Sequence, residues 1–210
     1  MLTFSQYRKL YNNELVVEIE NLSLGRGVYW ILGENGSGKS TLLKCIAGLI
    51  PYNGDISFDG VSNKNKQHQR FRRIVNYAEA EPQYPEFLRG NDLIEFYKKA
   101  KGANNEQAAY LLDKLQVKSF ASSRMGEYST GMIKKLSLAL AFIGSPKLIL
   151  LDEPLITLDS SGTASILQLI KDYAEKGVFV MLTSHQDFKI SEHINLNKLL
   201  LNKQHLEATL

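Results

Sequence analysis

Cysteine is almost absent from this sequence of 210 residues, which contains a single one, Cys45. One cysteine cannot form an internal disulfide, and a metal site built from several cysteines is excluded as well. Cys45 lies among Leu42, Leu43, Ile46 and Ala47, a spacing that predicts the buried face of a helix. We therefore assign the thiol to packing and give it no chemical role.

Long hydrophobic runs are missing too. The longest apolar stretches, such as 147–151 and 178–182, are far shorter than the roughly 20 residues that a membrane-spanning helix needs. Residues 1–9 carry no apolar segment followed by small residues at a cleavage site, so no secretory signal is predicted. We expect a cytoplasmic protein whose chain does not itself cross a membrane.

Positive and negative charges are nearly balanced in the sequence. The sequence has 25 Lys and Arg residues against 22 Asp and Glu residues, which gives a net charge of +3 at pH 7. Nucleic-acid binding usually depends on a concentrated basic surface. The composition therefore predicts no nucleic-acid partner.

Short aliphatic runs alternate with longer helical patterns, which predicts an α/β fold in one domain. Val28–Leu32 predicts a buried strand, and apolar residues at helical spacing follow from Lys39 to Ala47. Leu148–Leu151 and Gly177–Leu182 predict two more strands, separated by a helix from about 161 to 176. A connection of this kind joins parallel strands by a right-handed crossover.

Other strands differ from these buried ones. Leu15–Glu20 and Asp55–Phe58 have the pattern of half-exposed strands that end in turns, so we expect a small antiparallel flap. Lys198–Asn202 is the last strand that the pattern predicts.

The middle of the chain is mainly helical in pattern. Asp92–Lys101 and Asn105–Leu115 predict two helices divided by Gly102. They would belong to a helical lobe inserted into the core. We expect residues 1–81 and 136–210 to form the core with its antiparallel β subdomain, and residues 82–135 to form the helical subdomain.

The segment from Gly33 to Ser40 matches the P-loop pattern G-x-x-x-x-G-K-[ST], and it lies between a predicted strand and a predicted helix. Glycines allow tight turning, so that backbone N–H groups and the helix N-terminus point at phosphate oxygens. Lys39 would supply charge to the β- and γ-phosphates, and the Ser40 hydroxyl would bind Mg²⁺. The expected nucleotide contacts are Asn35, Gly36, Ser37, Gly38, Lys39, Ser40 and Thr41.

A second motif follows the strand Leu148–Leu151. Asp152 comes at its carboxyl end, where ligands of open α/β sheets bind, and we expect it to hold Mg²⁺ through water. Glu153 would orient or deprotonate the water that attacks the γ-phosphate. An apolar run that ends in Asp-Glu-Pro is, taken alone, equally typical of an ordinary strand with a solvated end.

The segment Tyr128-Ser-Thr-Gly-Met132 and the helical pattern after it resemble the signature sequence of ABC ATPases. The resemblance runs from about residue 11 to residue 186 in the order P-loop, signature, Walker B at 148–154, D-loop at Leu158-Asp159 and switch histidine at Thr183-Ser-His185. The fold that it implies is a P-loop NTPase core with a mostly parallel sheet. The cofactors that it implies are ATP and Mg²⁺.

The resemblance implies that two such subunits sandwich two ATP molecules, with a homodimer as the simplest case. Ser129 and Gly131 would contact the γ-phosphate of the opposite subunit, and a helix that starts near Ser129 offers free N–H groups for it. Asp159 would lie beside the nucleotide. His185 would contact the γ-phosphate and the attacking water, with a purely structural histidine as the alternative.

The family also places an aromatic ring against the adenine, upstream of the P-loop. Tyr11 lies at about the right spacing, and Tyr7 is its rival.

Two positions depart from the family pattern. Ala80 stands where a glutamine links Mg²⁺ to the helical lobe, and Glu79, Glu81 or Gln83 are the substitutes. This change predicts slow ATP turnover. The signature has YSTGM in place of the commoner LSGGQ, which resembles the ATPases of ABC-2-type exporters.

The resemblance implies transmembrane permease subunits as partners, so the chain would lie on the inner face of the cell membrane. The docking surface would be near residues 80–87, where Tyr84 and Phe87 are plausible contacts or plain packing. A soluble ABC-type ATPase and a slow ATP-dependent switch module remain the alternatives.

Overall fold

The computed structural model describes residues 1–64, 67–184 and 195–209. Within these residues the strands form one sheet of ten, in the order β5-β4-β1-β2-β10-β9-β3-β8-β7-β6. The strands are β1 Leu2–Tyr11, β2 Glu14–Leu24, β3 Val28–Leu32, β4 Asn53–Phe58, β5 Val61–Ser62, β6 Val75–Ala78, β7 Leu148–Leu151, β8 Phe179–Thr183, β9 Leu196–Asn202 and β10 His205–Thr209. The helices are α1 Lys39–Ile46, α2 His68–Ile74, α3 Gly90–Lys101, α4 Asn105–Lys114, α5 Thr130–Phe142 and α6 Ser160–Glu175, with a 3₁₀ turn at Met125–Glu127.

The centre of the sheet is parallel, as the aliphatic runs predict. β6, β7, β8, β3 and β9 pair in parallel, one after another. Every residue of β7 and β8 is buried, because both faces of this part of the sheet are covered. The predicted α/β fold is confirmed.

Side chains of the central strands alternate between two hydrophobic clusters, one on each face of the sheet. Trp30, Ile149 and Val180 pack with α5, α6 and the helices of the middle segment. Their neighbours Tyr29 and Leu148 face α1 and the strands of the flap. The period of two along each strand therefore separates the two layers that the sheet holds together.

The flap is built around β1, a strand that the sequence pattern did not predict. β1 pairs antiparallel with β2 on one side and with β4 on the other. Its buried residues change phase at Gln6, which has a φ of 48° and lies within an irregularity of the pairing with β4. This bulge breaks the alternation of apolar residues, so β1 lacks the signature of a regular strand.

The two predicted helices of the middle segment are confirmed as α3 and α4. Gly102 ends α3 in the left-handed conformation, with a φ of 68°, which suits glycine. Ile94 of α3 and Leu111 of α4 are buried in the cluster that also contains Met125 and Tyr128. α5 leads back from this lobe into the core.

β10 is another strand that the sequence pattern missed, as is the two-residue β5. β10 pairs antiparallel with β9 and touches β2 in parallel register at a single pair, His205 opposite Glu18. This contact joins the flap to the central strands in one continuous sheet. In the described ranges, no helix is both long enough and apolar enough to span a bilayer.

Candidate functional site

The loop between β3 and α1 has the backbone that a phosphate-binding loop needs. Gly36 and Gly38 have φ values of 80° and 102°, and Gly38 is the N-cap residue of α1. A Cβ on Gly38 would lie 2.7 Å from the Cγ2 atom of Val17, so a side chain has no room there. The loop therefore keeps its turn and the free N–H groups of the helix N-terminus.

Lys39 lies inside this loop. Its side chain is buried, and Nζ donates to the carbonyl oxygens of Gly33 at 2.7 Å and Glu34 at 2.9 Å. The Ser37 hydroxyl is buried, and within the part of the chain that the structure describes it has no hydrogen-bond partner. A buried ammonium and an unsatisfied hydroxyl in the same loop suit an anionic ligand, and a phosphate fits this loop.

Asp152 follows β7 and is 2 % exposed. Its Oδ1 atom accepts hydrogen bonds from Ser40 Oγ at 3.0 Å and from Thr183 Oγ1 at 2.7 Å. The Tyr77 hydroxyl lies 3.4 Å from Oδ2. Burial, and then the Asp152 charge, raise the pKa of Tyr77, which stays a neutral donor. Hydroxyl and carboxylate oxygens are the ligands that Mg²⁺ prefers, so Ser40 and Asp152 fit this ion.

Glu153 is held in an uncommon backbone conformation. Its φ is 44°, which residues other than glycine seldom adopt. The Glu153 N–H donates to Thr183 Oγ1 at 2.9 Å, so the same hydroxyl binds Asp152 and the Glu153 backbone. Such conformations persist when surrounding contacts fix them, and they concentrate at functional sites.

The start of α5 and the segment before α6 form a second group. Ser129 is the N-cap residue of α5, and its Oγ accepts a hydrogen bond from the Met132 N–H at 3.2 Å. A Cβ on Gly131 would lie 3.2 Å from the carbonyl oxygen of Thr157. The predicted signature and the predicted D-loop are therefore neighbours.

Asp159 is the N-cap residue of α6. Its Oδ1 accepts from the Gly162 N–H at 2.6 Å, and its Oδ2 accepts from Lys135 Nζ at 3.0 Å. The Gly162 N–H, and then the Lys135 hydrogen bond, hold the pKa of Asp159 below its usual range. The carboxylate is exposed and ionised at the surface where the predicted signature begins.

The two aromatic candidates for adenine stacking differ in exposure. Tyr7 is fully buried between Phe4 and Tyr52, so its ring is closed to a ligand. Tyr11 is 49 % exposed, and its ring lies 4.2 Å from the Nζ atom of Lys9. Tyr11 therefore stays the residue that we predict to stack on the adenine. Asn35 is exposed and Thr41 half-buried on either side of the loop.

His185, the predicted switch histidine, lies outside the described residues. The structure also assigns contacts to residues that the sequence patterns left without a role. Tyr77 and Thr183 surround the Asp152 carboxylate. Lys134 is 1 % exposed in α5, and it points into the core four residues before the buried Leu138. A lysine on the apolar face of a helix is the signal that could have singled it out.

A groove of about 860 Å³ runs from Ser40 and Asp152 to the helical lobe. Its walls include Ala80, Tyr84 and Tyr97. Glu79, Glu81 and Gln83 all line the groove; Glu79 is half-buried and the other two are exposed. Phe87 and Phe96 are 75 % and 65 % exposed close by in the chain.

Comparison with known proteins gives a consistent answer. The family whose description is ABC transporter matches residues 20–156. The chain is 29% identical over 187 residues to the lantibiotic transport ATP-binding protein SrtF of Streptococcus pyogenes, covering 88% of this chain and 80% of that protein. It is 30% identical over 183 residues to the cytochrome c biogenesis ATP-binding export protein CcmA of Shewanella frigidimarina, covering 87% and 84%.

Solved structures share the fold. An ATP-binding subunit of an ABC transporter superimposes with a TM-score of 0.88 at 24% identity, over 98% of this chain and 87% of the other. The dimeric cassette MJ0796, bound to ADP and Pi after hydrolysis, gives a TM-score of 0.85 at 24% identity over 99% and 97%. The family match and the 30%-identical relative show that the chain belongs to the ABC transporter family, as one of its ATP-binding domains.

Proposed function

We propose that this chain binds ATP and Mg²⁺ and hydrolyses ATP as a dimer, and that the cycle drives an exporter through permease subunits. The observation that carries the proposal is the contact between Ser40 of the P-loop and Asp152, with Glu153 next to it. This contact brings a phosphate-binding loop, an oxygen site for Mg²⁺ and a candidate base to one edge of the sheet.

Different residues bind the phosphates and stabilise their negative charge. Gly36, Gly38 and the N-terminus of α1 present N–H groups to the phosphates, and Lys39 adds a positive charge. Mg²⁺, when bound by Ser40 and Asp152, supplies charge that offsets the negative phosphate oxygens.

Glu153 orients the attacking water and accepts its proton. Thr183 fixes the Glu153 backbone and Asp152 relative to each other, so the carboxylate starts in a defined place. Asn35, Ser37 and Thr41 complete the contacts to the phosphates, and Tyr11 stacks on the adenine.

Dimerisation supplies the remaining groups. Ser129, Gly131 and the N-terminus of α5 face the γ-phosphate bound to the other subunit, and Asp159 lies beside them. His185 contacts the same phosphate. The dimeric MJ0796 cassette, a structural likeness of the whole chain, supports a dimer as the working unit.

We also propose that ATP hydrolysis by this chain drives export. SrtF is named for lantibiotic transport and CcmA for export in cytochrome c biogenesis. The YSTGM signature favours an exporter in the same way. We propose that the permease docks at the groove beside Ala80 and Tyr84, near the exposed Phe87. A chain that binds a permease in this way would lie on the inner face of the cell membrane.

The test measures ATP hydrolysis by the purified chain with and without Mg²⁺, together with its size in solution. Glu153→Gln removes the base and keeps the shape of the side chain. We expect the rate of ATP hydrolysis to fall by a factor on the order of 10² to 10⁴, which is typical for the loss of a general base. Because bound ATP is then not hydrolysed, it should trap the protein as a dimer. Glu175→Gln, at an exposed carboxylate at the end of α6, is the matched control and should behave as wild type.

The replacement of the expected glutamine by Ala80 favours a second candidate, a slow switch that dimerises on ATP and barely hydrolyses it. Wild-type protein that dimerises with ATP and shows no Mg²⁺-dependent turnover, even with the permease present, would support the switch against the motor.

A further inference from the structure

Lys134 is a buried cation with an unusual set of partners. Its side chain in α5 is 1 % exposed, and Nζ donates to three carbonyl oxygens: Glu79 at 2.8 Å, Ala80 at 3.0 Å and Asp152 at 3.0 Å. A lysine ammonium has three N–H groups, so each has one acceptor. Backbone carbonyls therefore satisfy this buried charge, which would be costly to leave without partners.

The three carbonyls belong to segments with different predicted roles. Glu79 and Ala80 follow β6 at the position where a family glutamine would reach the metal. Asp152 follows β7 and binds Ser40 through its side chain. Lys134 itself lies in the second turn of α5, whose N-terminus carries Ser129. One side chain therefore joins the start of the signature helix, the loop after β6 and the metal-binding aspartate.

The charges around Lys134 favour the same arrangement. Burial lowers its pKa to about 8, and the nearby charges of Asp152, Glu153 and Glu81 act in the opposite direction. Its Nζ lies 3.0 Å from the Asp152 carbonyl oxygen, just after β7, where the predicted metal ligand Asp152 is followed by the predicted base Glu153. Loss of the cation would leave three carbonyl oxygens facing each other without a donor.

We propose that Lys134 is a positioning residue, which locks the 79–80 loop and α5 to the end of β7 and so holds Asp152 and Glu153 in place for hydrolysis. It acts through the backbone carbonyls of Glu79, Ala80 and Asp152 and does not touch the nucleotide. The inference rests on the proposed ATPase function. It also provides a link between the loop and the Mg²⁺ site in a chain that has Ala80 where the amide is expected.

A half-buried lysine offers a matched control. Lys101, at the end of α3, also has its pKa lowered to about 8 by burial, and it also donates to backbone carbonyls, those of Arg72 and Val75. These acceptors lie before and at the start of β6, at the opposite end of that strand from Ala80. Its loss tests what removing another lysine that donates to backbone carbonyls does to the protein.

The experiment compares wild type, Lys134→Met, Lys134→Gln and Lys101→Met. Methionine keeps the length and removes the donors, whereas glutamine keeps two N–H groups. The measurements are thermal unfolding, ATP affinity in the absence of turnover, kcat with Mg²⁺, and hydrogen exchange of backbone amides in nucleotide-free protein. For Lys134→Met we expect kcat to fall at least about tenfold with ATP affinity within about twofold.

Hydrogen exchange separates positioning from general stability. Lys134→Met should speed exchange at residues 79–81 and 152–153 by about tenfold or more, while Lys101→Met speeds it at 72–76 and leaves kcat near wild type. Lys134→Gln should fall between Lys134→Met and wild type in kcat and in exchange. If Lys134→Met does not fold, Lys134→Gln alone decides between these outcomes.

Unchanged exchange at residues 79–81, or a kcat loss in Lys101→Met equal to that in the Lys134 variants, would overturn the inference. Failure of the proposed function is a different result, because wild type itself would then lack Mg²⁺-dependent hydrolysis. The exchange measurements would still decide whether Lys134 holds the loop to β7.

Discussion

Thr183 is the residue on which the geometry of Asp152 and Glu153 depends most directly. Its hydroxyl donates to Asp152 Oδ1 and accepts from the Glu153 N–H, in a position with no exposure to solvent. Glu153 has a φ of 44°, a conformation that needs support from neighbouring groups. One buried oxygen thus stabilises the strained backbone and orients the carboxylate next to it.

Thr183→Val tests this role at the level of a single atom. Valine keeps the shape of threonine and removes the hydroxyl, which leaves the Glu153 N–H without its acceptor. We expect a loss of about 1–3 kcal/mol in the free energy of unfolding, measured by denaturant titration. ATP hydrolysis should fall by about 10- to 100-fold, because small displacements of reacting groups are costly.

Thr183→Ser is the matched control, since it retains the oxygen and removes only a methyl group. It should keep most of the activity. Equal hydrolysis rates in the valine and serine variants would show that the hydroxyl does not position Glu153.

The sequence predicted part of this site. The P-loop pattern and the run before Asp152 place Ser40 and Asp152 at one edge of a parallel sheet, and the structure brings them within hydrogen-bond distance. The roles of Tyr77 and Lys134 could not be predicted in this way. Their contacts depend on how β6 and α5 pack against β7, and no local spacing encodes that packing. The roles of Tyr11 and His185 stay predictions.

At the scale of elements, β1 shows how a bulge is accommodated. Gln6 has a φ of 48° in the middle of the strand, and the chain opposite it carries Gly54 in β4 with a φ of 84°. A Cβ on Gly54 would lie 2.0 Å from the carbonyl oxygen of Gln6. The bulge in one strand therefore requires a glycine in its neighbour.

Gly54→Ala should destabilise the flap strongly. The added methyl group would overlap the Gln6 backbone, so β1 and β4 would have to separate, and we expect a loss of about 2–4 kcal/mol. Thermal or denaturant unfolding measures the change.

Gly60→Ala provides the comparison, because Gly60 has a similar φ of 74° and open space around its Cβ position. That variant bears only the conformational strain, about 1–2 kcal/mol. Similar losses in the two variants would contradict a steric role for Gly54.

The same elements explain where sequence patterns fail. β7 and β8 are fully buried, so continuous apolar runs identify them. β1 has two short stretches of alternation that are out of phase, because the bulge shifts its side chains by one position. β10 touches β2 at only one residue pair, and its place depends on β9 more than on its own composition.

For the molecule as a whole, Lys101 ties the helical lobe to the core. It extends from the end of α3 to the carbonyls of Arg72 and Val75, which belong to the core side of the groove. Burial lowers its pKa from 10.5 to about 8. Between these two values the unfolded chain binds a proton that the folded protein releases.

This difference predicts how stability depends on pH. Because the unfolded state binds more protons, the Lys101 contribution to the free energy of unfolding should rise between about pH 8 and about pH 10. We compare wild type with Lys101→Met by denaturant unfolding at several pH values. Other titrating groups are common to both proteins, so their effects cancel in the difference. A difference that stays flat or falls over this range would contradict the lowered pKa.

The pairing of β3 has a consequence for the order of events during synthesis. The strand that leads into the P-loop pairs with β8 and β9, and both of these follow α5, β7 and α6 along the chain. Until β8 and β9 emerge from the ribosome, the backbone N–H and C=O groups on both edges of β3 have no partner strand. An unpaired strand of this kind is prone to aggregation. Such distant pairing also slows folding. The loop that would bind nucleotide is thus synthesised early and takes its final form late, so a ribosome-bound chain that stops before β8 should not yet bind ATP.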